Sequence, residues 1–268
     1  MKKLLAMLLA VMMCVACLSA CGNADSKTDG KGTEVASGEA SVDTEDDILV
    51  VGTNAAFPPF EYMGDDGQPD GFDIALIKAI AQQLDMEVEI QDMEFEALVM
   101  AIGTKIDAAI AGMTIDEDRL RVVDFSDPYY DAIQYVIVPK DSTIGSAADL
   151  ENKTIGVQLG TTGNYTADEI PGATVQTYNK GVDAVTDLRN GRLDAVIIDK
   201  NPALVFTEKY PDELMALDGA LFEFATEQYA IALPKGSDMV EKVNDALAEL
   251  KENGTFDALV AQYIETAE

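Results

Sequence analysis

The chain has 268 residues, 48 % of them hydrophobic, with 49 acidic against 18 basic side chains, three cysteines and no histidine. A formal charge of −31 repels nucleic acid and anionic lipid headgroups. The missing histidine removes the usual general base and the commonest metal ligand, which weighs against hydrolase triads and zinc sites.

Lys2 and Lys3 precede an apolar run from Leu4 to Ala16, and Leu18-Ser19-Ala20-Cys21 follows. This is the plan of a secretory signal over residues 1–20. L-S-A-C resembles a bacterial lipobox, which would make Cys21 the lipid-bearing N-terminus; an ordinary signal with a stray cysteine and a retained anchor are the other readings. Cys14 and Cys17 leave with the signal, so no thiol remains for a disulfide or a nucleophile. Residues 22–47 are rich in Gly, Ser, Thr, Asp and Glu and bury too little to offset their ordering entropy, so 21–47 is expected to be a disordered tether.

Folded structure is expected from the buried strand Ile48-Leu49-Val50-Val51 onward. Ile74, Ile77, Ile80, Ala81 and Leu84 fall at helical spacing behind Gly71-Phe72-Asp73. Strands are predicted at Met86 to Ile90, Asp107 to Ala111, Ala132 to Val138, Lys153 to Gln158, Leu193 to Ile198 and Tyr229 to Leu233. Helices are predicted at Phe95 to Ile102, after Gln158, at Val182 to Leu188 and at Pro202 to Glu208. Ser237 is placed to cap a long helix that stops at Asn253-Gly254, and Thr255 begins the last one. Alternating strands and helices define an α/β class with ligands at the carboxyl ends of strands. K-I-D-A-A-I-A-G (105–112) and R-L-D-A-V-I-I-D (192–199) echo each other at an offset of 87 residues. That is either a generic helix–strand unit or the mark of two similar lobes, with Gly112 and Asp199 at related places.

Six stretches carry polar or aromatic groups where strands end. In 52–61, Asn54 and the flanking Phe57 are candidate ligand contacts; Phe60 reads as core, and Glu61 reads first as a structural part of the P-P-F-E loop and second as a counter-charge for a basic ligand. Phe95 is a core residue or an apolar wall. Gly112, Thr114 and Arg119 lie in I-A-G-M-T-I-D-E-D-R, where Arg119 either is solvated or offers a fork that fits a carboxylate. F-S-D-P-Y-Y (125–130) is a turn. Gln158 to Asn164, with Thr162, joins a strand to a helix, where backbone amides favour an anion. Asp199 is a helix cap or an acid facing a ligand. An arginine for a carboxylate, an aspartate for an ammonium and aromatics between them suit an α-amino acid.

G-T-N-A-A-F-P-P-F-E-Y, G-F-D-I-A-L, A-G-M-T-I-D-E-D-R, V-D-F-S-D-P-Y-Y, G-V-Q-L-G-T-T-G and A-V-I-I-D-K, in this order from Ile48, resemble the extracellular solute-binding proteins, family 3, of polar amino-acid ATP-binding-cassette importers. The resemblance implies a two-lobed periplasmic-binding-protein type II fold, each lobe a mixed sheet flanked by helices, joined by two crossover strands. Lobe 1 would be 48–130 plus 230–268, and lobe 2 would be 131–229. It further implies that Arg119 holds the ligand α-carboxylate with the amides of Thr114 and Thr162. Asp199 pairs with the α-ammonium with help from the Gly112 carbonyl and Thr114 hydroxyl, and Phe57 and Phe95 flank the side chain. Relatives often carry an acid where this chain has Asn54 and a lysine where it has Gln158. The two amides therefore lead to an expected uncharged polar ligand such as glutamine, with a basic amino acid second. No cofactor, metal or catalytic residue is implied. The expected partners are a permease and its ATPase, the expected site of action is the outer face of the cell membrane by way of the lipid, and the expected state is a monomer. A sensing subunit, or an enzyme like cyclohexadienyl dehydratase on the same scaffold, are the alternatives.

Overall fold

The computed structural model describes residues 48–265; the signal peptide, Cys21 and the tether lie outside the described residues. The first apolar run forms β1 (Ile48–Thr53). A small antiparallel meander follows, β2 (Ala56–Phe57), β3 (Glu61–Met63) and β4 (Pro69–Asp70). Gly71 then turns the chain into α1 (Phe72–Gln83) at φ 121°, and a Cβ there would lie 2.3 Å from the Phe60 carbonyl oxygen, so only glycine fits. After β5 (Glu87–Asp92) and α2 (Phe95–Ala101), β6 (Ala108–Ala109) completes a β-α-β-α-β unit in which β5 and β6 both run parallel to β1.

The chain leaves this unit through β7 (Val123–Phe125) and the long β8 (Tyr130–Pro139). A second unit then repeats the first: β9 (Thr154–Gln158), α3 (Thr162–Asp168), β10 (Thr174–Tyr178), α4 (Gly181–Arg189) and β11 (Ala195–Asp199), with β10 and β11 parallel to β9. It continues through α5 (Lys200–Glu208), β12 (Leu214–Leu217), β13 (Thr226–Tyr229), β14 (Ala232–Pro234), α6 (Met239–Glu252) and α7 (Thr255–Tyr263). The two main sheets have orders β5-β1-β6-β14-β7 and β10-β9-β11-β8-β12. Both place the second strand of the unit outside the first and the third inside it, next to an antiparallel strand. This is the two-lobed architecture expected from the sequence.

The echo between 105–112 and 192–199 is therefore two copies of one structural device. Asp107 accepts a hydrogen bond from Val50 N (2.9 Å) while its own amide donates to Val50 O (2.7 Å). Asp194 does the same with Thr154, at 2.8 Å in both directions. Each aspartate pins the start of the third strand to the first, which fixes where the two strand ends open.

Three expectations change in detail. The late strand at 229–233 is two strands: β13 pairs with β8, β14 pairs with β6 and β7, and Ala230-Ile231 carries the chain from one sheet to the other. The edge strand β10 escaped notice because T-V-Q-T-Y is mostly exposed. The helix at 239 starts after Asp238, although the Ser237 hydroxyl does accept from Met239 N at 3.2 Å. α6 buries Val243, Ala246, Leu247 and Leu250 against the core that holds Leu76, Ile77 and Ile80 of α1. α7 returns to the first lobe, where Phe256 meets Phe72 edge-on at 5.7 Å.

Replacing Asp107 or Asp194 by alanine removes one strand-pinning bond, and each variant is expected to lose about 1 kcal/mol of stability by urea denaturation. The pair should lose about the sum, because the two devices sit in different sheets.

Candidate functional site

The carboxyl ends of β1, β6, β9 and β11 converge on one cavity. All nine residues singled out by the sequence line it: Asn54, Phe57, Phe95, Gly112, Thr114 and Arg119 from the first lobe, Gln158, Thr162 and Asp199 from the second. Glu61, Ala111 and Thr161 complete the lining. Phe57 packs over Gly112, whose φ is 52° and whose added Cβ would meet the ring at 2.9 Å. Phe60, as expected, is fully buried and touches Tyr130 and Tyr229 edge-on.

The spacing I-D-E-D-R is explained by Asp116, which the sequence reading did not single out. One of its oxygens accepts from the amides of Asp118 and Arg119 at 2.8 and 2.9 Å, and the other meets Arg119 Nε at 2.9 Å. Arg119 Nη1 donates to Thr114 O (2.6 Å) and Nη2 to Gly160 O on the second lobe (3.0 Å). The guanidinium also sits 5.3 Å from the centre of the Phe95 ring. Arg119 is 6 % exposed, so this side chain is not a solvated arginine. Two of its five N–H groups donate hydrogen bonds and Nε pairs with the Asp116 carboxylate by charge, leaving one N–H on each Nη for an oxygen ligand.

Asp199 occupies the N-cap position of α5, but its side chain caps nothing. Instead it accepts from Tyr229 OH at 2.6 Å. Burial pushes its carboxyl up to about 7, the nearby Glu227 carboxylate adds to the rise, and hydrogen bonds from Tyr229 and Gln134 oppose it. Glu227, on β13, went unnoticed in the sequence. Its Oε2 accepts from Thr162 Oγ1 (2.7 Å), Thr114 Oγ1 (2.8 Å) and Gln134 Nε2 (3.4 Å), tying both lobes to a crossover strand. Only strand alternation in T-E-Q-Y hinted that it faces inward; its partners lie 65 and 113 residues away.

At the other end of the cavity the amides meet each other. Gln158 Nε2 donates to Asn54 Oδ1 across the lobes at 2.9 Å, and Asn54 Nδ2 donates to Met93 O at 2.7 Å. Glu61 lines the cavity, is 1 % exposed, and neither of its carboxyl oxygens has a donor. It is thus more than a structural residue of its loop. Burial holds its carboxyl well above the ordinary range, with neighbouring Asp73 and Asp199 adding to the rise. Asp73 lies behind it on α1, with Oδ2 accepting from Gly112 N (2.7 Å) and Tyr129 OH (2.8 Å). Burial pushes Asp73 up to about 6 against those two bonds and against a direct contact with the Glu61 carboxyl, which also lowers it. Among the described residues that line the cavity, Arg119 is the one base, against Glu61 and Asp199. Among the described residues no group of three or more acids, histidines or cysteines is arranged to hold a metal ion.

This geometry, two repeated α/β lobes with an arginine and acids meeting in the cleft between them, is that of a binding protein. The chain belongs to the bacterial extracellular solute-binding proteins, family 3, which match residues 49–266. It is 37 % identical over 218 residues to the arginine-binding extracellular protein ArtP of Bacillus subtilis, covering 79 % of this chain and 84 % of that one. It is 35 % identical over 218 residues to the L-cystine-binding protein TcyJ of Escherichia coli, covering 79 % and 80 %. The crystal structure of the substrate-binding protein of an amino acid ABC transporter superposes with a TM-score of 0.77 at 38 % identity, covering 81 % of this chain and 99 % of that one. Family membership makes this a substrate-binding transport protein that works outside the cytoplasm, not an enzyme.

The raised carboxyls set the sign of the pH response. Asp73, Asp199 and Glu61 bind protons more tightly folded than unfolded, so stability without added amino acid must fall as pH rises through the window from the ordinary value of 3.8 to about 6 for Asp73 and about 7 for Asp199. Thermal unfolding is expected to show a higher Tm at pH 5 than at pH 7.5, and Asp199→Asn should flatten the slope by up to about 1.4 kcal/mol per pH unit.

Proposed function

We propose that this chain is the lipid-anchored, amino-acid-capturing component of an ABC importer, and that its ligand is a cationic L-amino acid of arginine type. Lobes 48–130 with 230–268 and 131–229 would close on it by hinge motion along β8 and β13. The two spare N–H groups of Arg119, with the amides of Thr114 and Thr162, take the α-carboxylate. Asp199 takes the α-ammonium, with the Gly112 carbonyl and the Thr114 hydroxyl, and Phe57 and Phe95 flank the side chain.

Glu61 carries the choice of ligand. Once Arg119 is matched by one carboxylate and Asp199 by one ammonium, Glu61 remains as a buried acid without a donor. An uncharged side chain leaves it so; a guanidinium or ammonium supplies the missing donors and the missing charge. The amides of Asn54 and Gln158, on which the expectation of a glutamine-like ligand rests, are bonded to each other. A relative whose name gives arginine as its ligand, at 37 % identity, supports the same choice. The glutamine reading keeps one support, the tendency of burial to hold Glu61 neutral.

A thermal-shift panel of arginine, lysine, histidine, glutamine and citrulline tests the ligand. Arginine at ~100 Kd should stabilise the protein by about 2.7 kcal/mol. Arg119→Ala and Asp199→Ala should each lose about 3–5 kcal/mol of binding with circular dichroism unchanged, and Glu61→Gln should favour citrulline over arginine. A panel with no response to any amino acid overturns the reading. Attachment through Cys21 is tested separately: wild type should incorporate labelled palmitate and pellet with membranes, and Cys21→Ser should do neither.

A further inference from the structure

Three buried carboxyl oxygens sit together without a donor: both of Glu61 and Oδ1 of Asp73. Glu61 is 1 % exposed and Asp73 is fully buried. A buried acceptor left unpaired is costly, and two adjacent buried carboxylates repel each other as well. The other Asp73 oxygen is well served, by Gly112 N and Tyr129 OH. Glu61 and Asp73 interact directly through their side chains, so the unmet need lies where the two carboxyl groups meet.

Among the described residues, the titratable groups that act on this face include no base. From α1 comes Asp73 itself, from the turn before β8 Tyr129, from the end of β11 Asp199, and from β13 Tyr229, with Glu227 acting on Asp199. All are acids or phenols. Arg119, the one base lining the cavity, is committed to Asp116 and to the carbonyls of Thr114 and Gly160.

We propose that Glu61 and Asp73 hold one proton between them, and that the cation of the ligand side chain takes its place. One bridging proton gives a donor to a pair that has none and removes one of two like charges. When a guanidinium seats against Glu61, its N–H groups supply the donors, the pair ionises fully, and the proton leaves to solvent. Asp73, which does not line the cavity, is on this account a positioning residue: it sets the charge that Glu61 shows to the ligand. The elevated carboxyls of Glu61 and Asp73 are consistent with such sharing. The inference rests on the cationic ligand proposed above.

Arginine and its neutral isostere citrulline separate this proton from the one on Asp199, because both ligands bring the same α-ammonium. Calorimetry of the full chain at pH 7, in buffers of different ionisation enthalpy, should show arginine releasing about one proton more than citrulline. The arginine-to-citrulline affinity ratio should rise by up to about tenfold per pH unit while the pair is protonated. Asp73→Asn keeps acceptors for Gly112 N and Tyr129 OH and offers its amide to Glu61, so the arginine-specific release should vanish while arginine still binds. Equal release with both ligands in the wild type, or persistence of the difference in Asp73→Asn, overturns the inference and leaves the ligand reading intact. Absence of arginine binding overturns that reading and the displacement with it. The pair itself is decided without any ligand: an infrared carbonyl band of a protonated carboxyl at pH 7 should be present in the wild type and lost in Glu61→Gln. No such difference means the pair holds no proton.

Discussion

Burying more acid than base is the constraint on which this cleft depends. Glu61, Asp73 and Asp199 are all below a tenth exposed, and Arg119 is the one base that lines the space between them. An isolated buried carboxylate is untenable, so each must find a donor, a proton or a cation. Asp199 has Tyr229, Asp73 has an amide and a phenol, and Glu61 has neither. The fold itself pays for this imbalance with apolar packing of two complete lobes, and the imbalance is what gives the cavity its appetite for positive charge.

Much of this was legible in the sequence because it is local. A strand ending on Gly112, a glycine loop after Gln158 and an acid at Asp199 are each written in a few consecutive residues, and the carboxyl ends of parallel strands are where such residues converge. The echo of K-I-D-A with R-L-D-A was visible too, though its meaning was not. Two aspartates that pin third strand to first can be recognised only when Val50 and Thr154 are seen beside them.

What was illegible is what depends on distance along the chain. Glu227 joins Thr114 and Thr162 from a strand that comes more than sixty residues after either. Glu61 reads as part of a proline loop until burial and the lack of a donor single it out. Asn54 and Gln158 read as two free amides suited to a polar ligand, and only the fold shows them hydrogen-bonded across the lobes. For Asn54, Gln158 and Glu61 the sequence supplied the functional group and left its partner unknown; for Glu227 it gave no signal beyond strand alternation.

The bond between Asn54 and Gln158 has an evolutionary consequence. The two residues belong to different lobes and are joined by one hydrogen bond, from Gln158 Nε2 to Asn54 Oδ1. An acid at 54 would need a donor opposite it, and a lysine at 158 would need an acceptor; the two together would keep the bridge as an ion pair. Positions 54 and 158 should therefore drift as one character, passing through paired substitutions. Either version is neutral in sum, so such drift would leave the charge balance of the cleft in the keeping of Glu61.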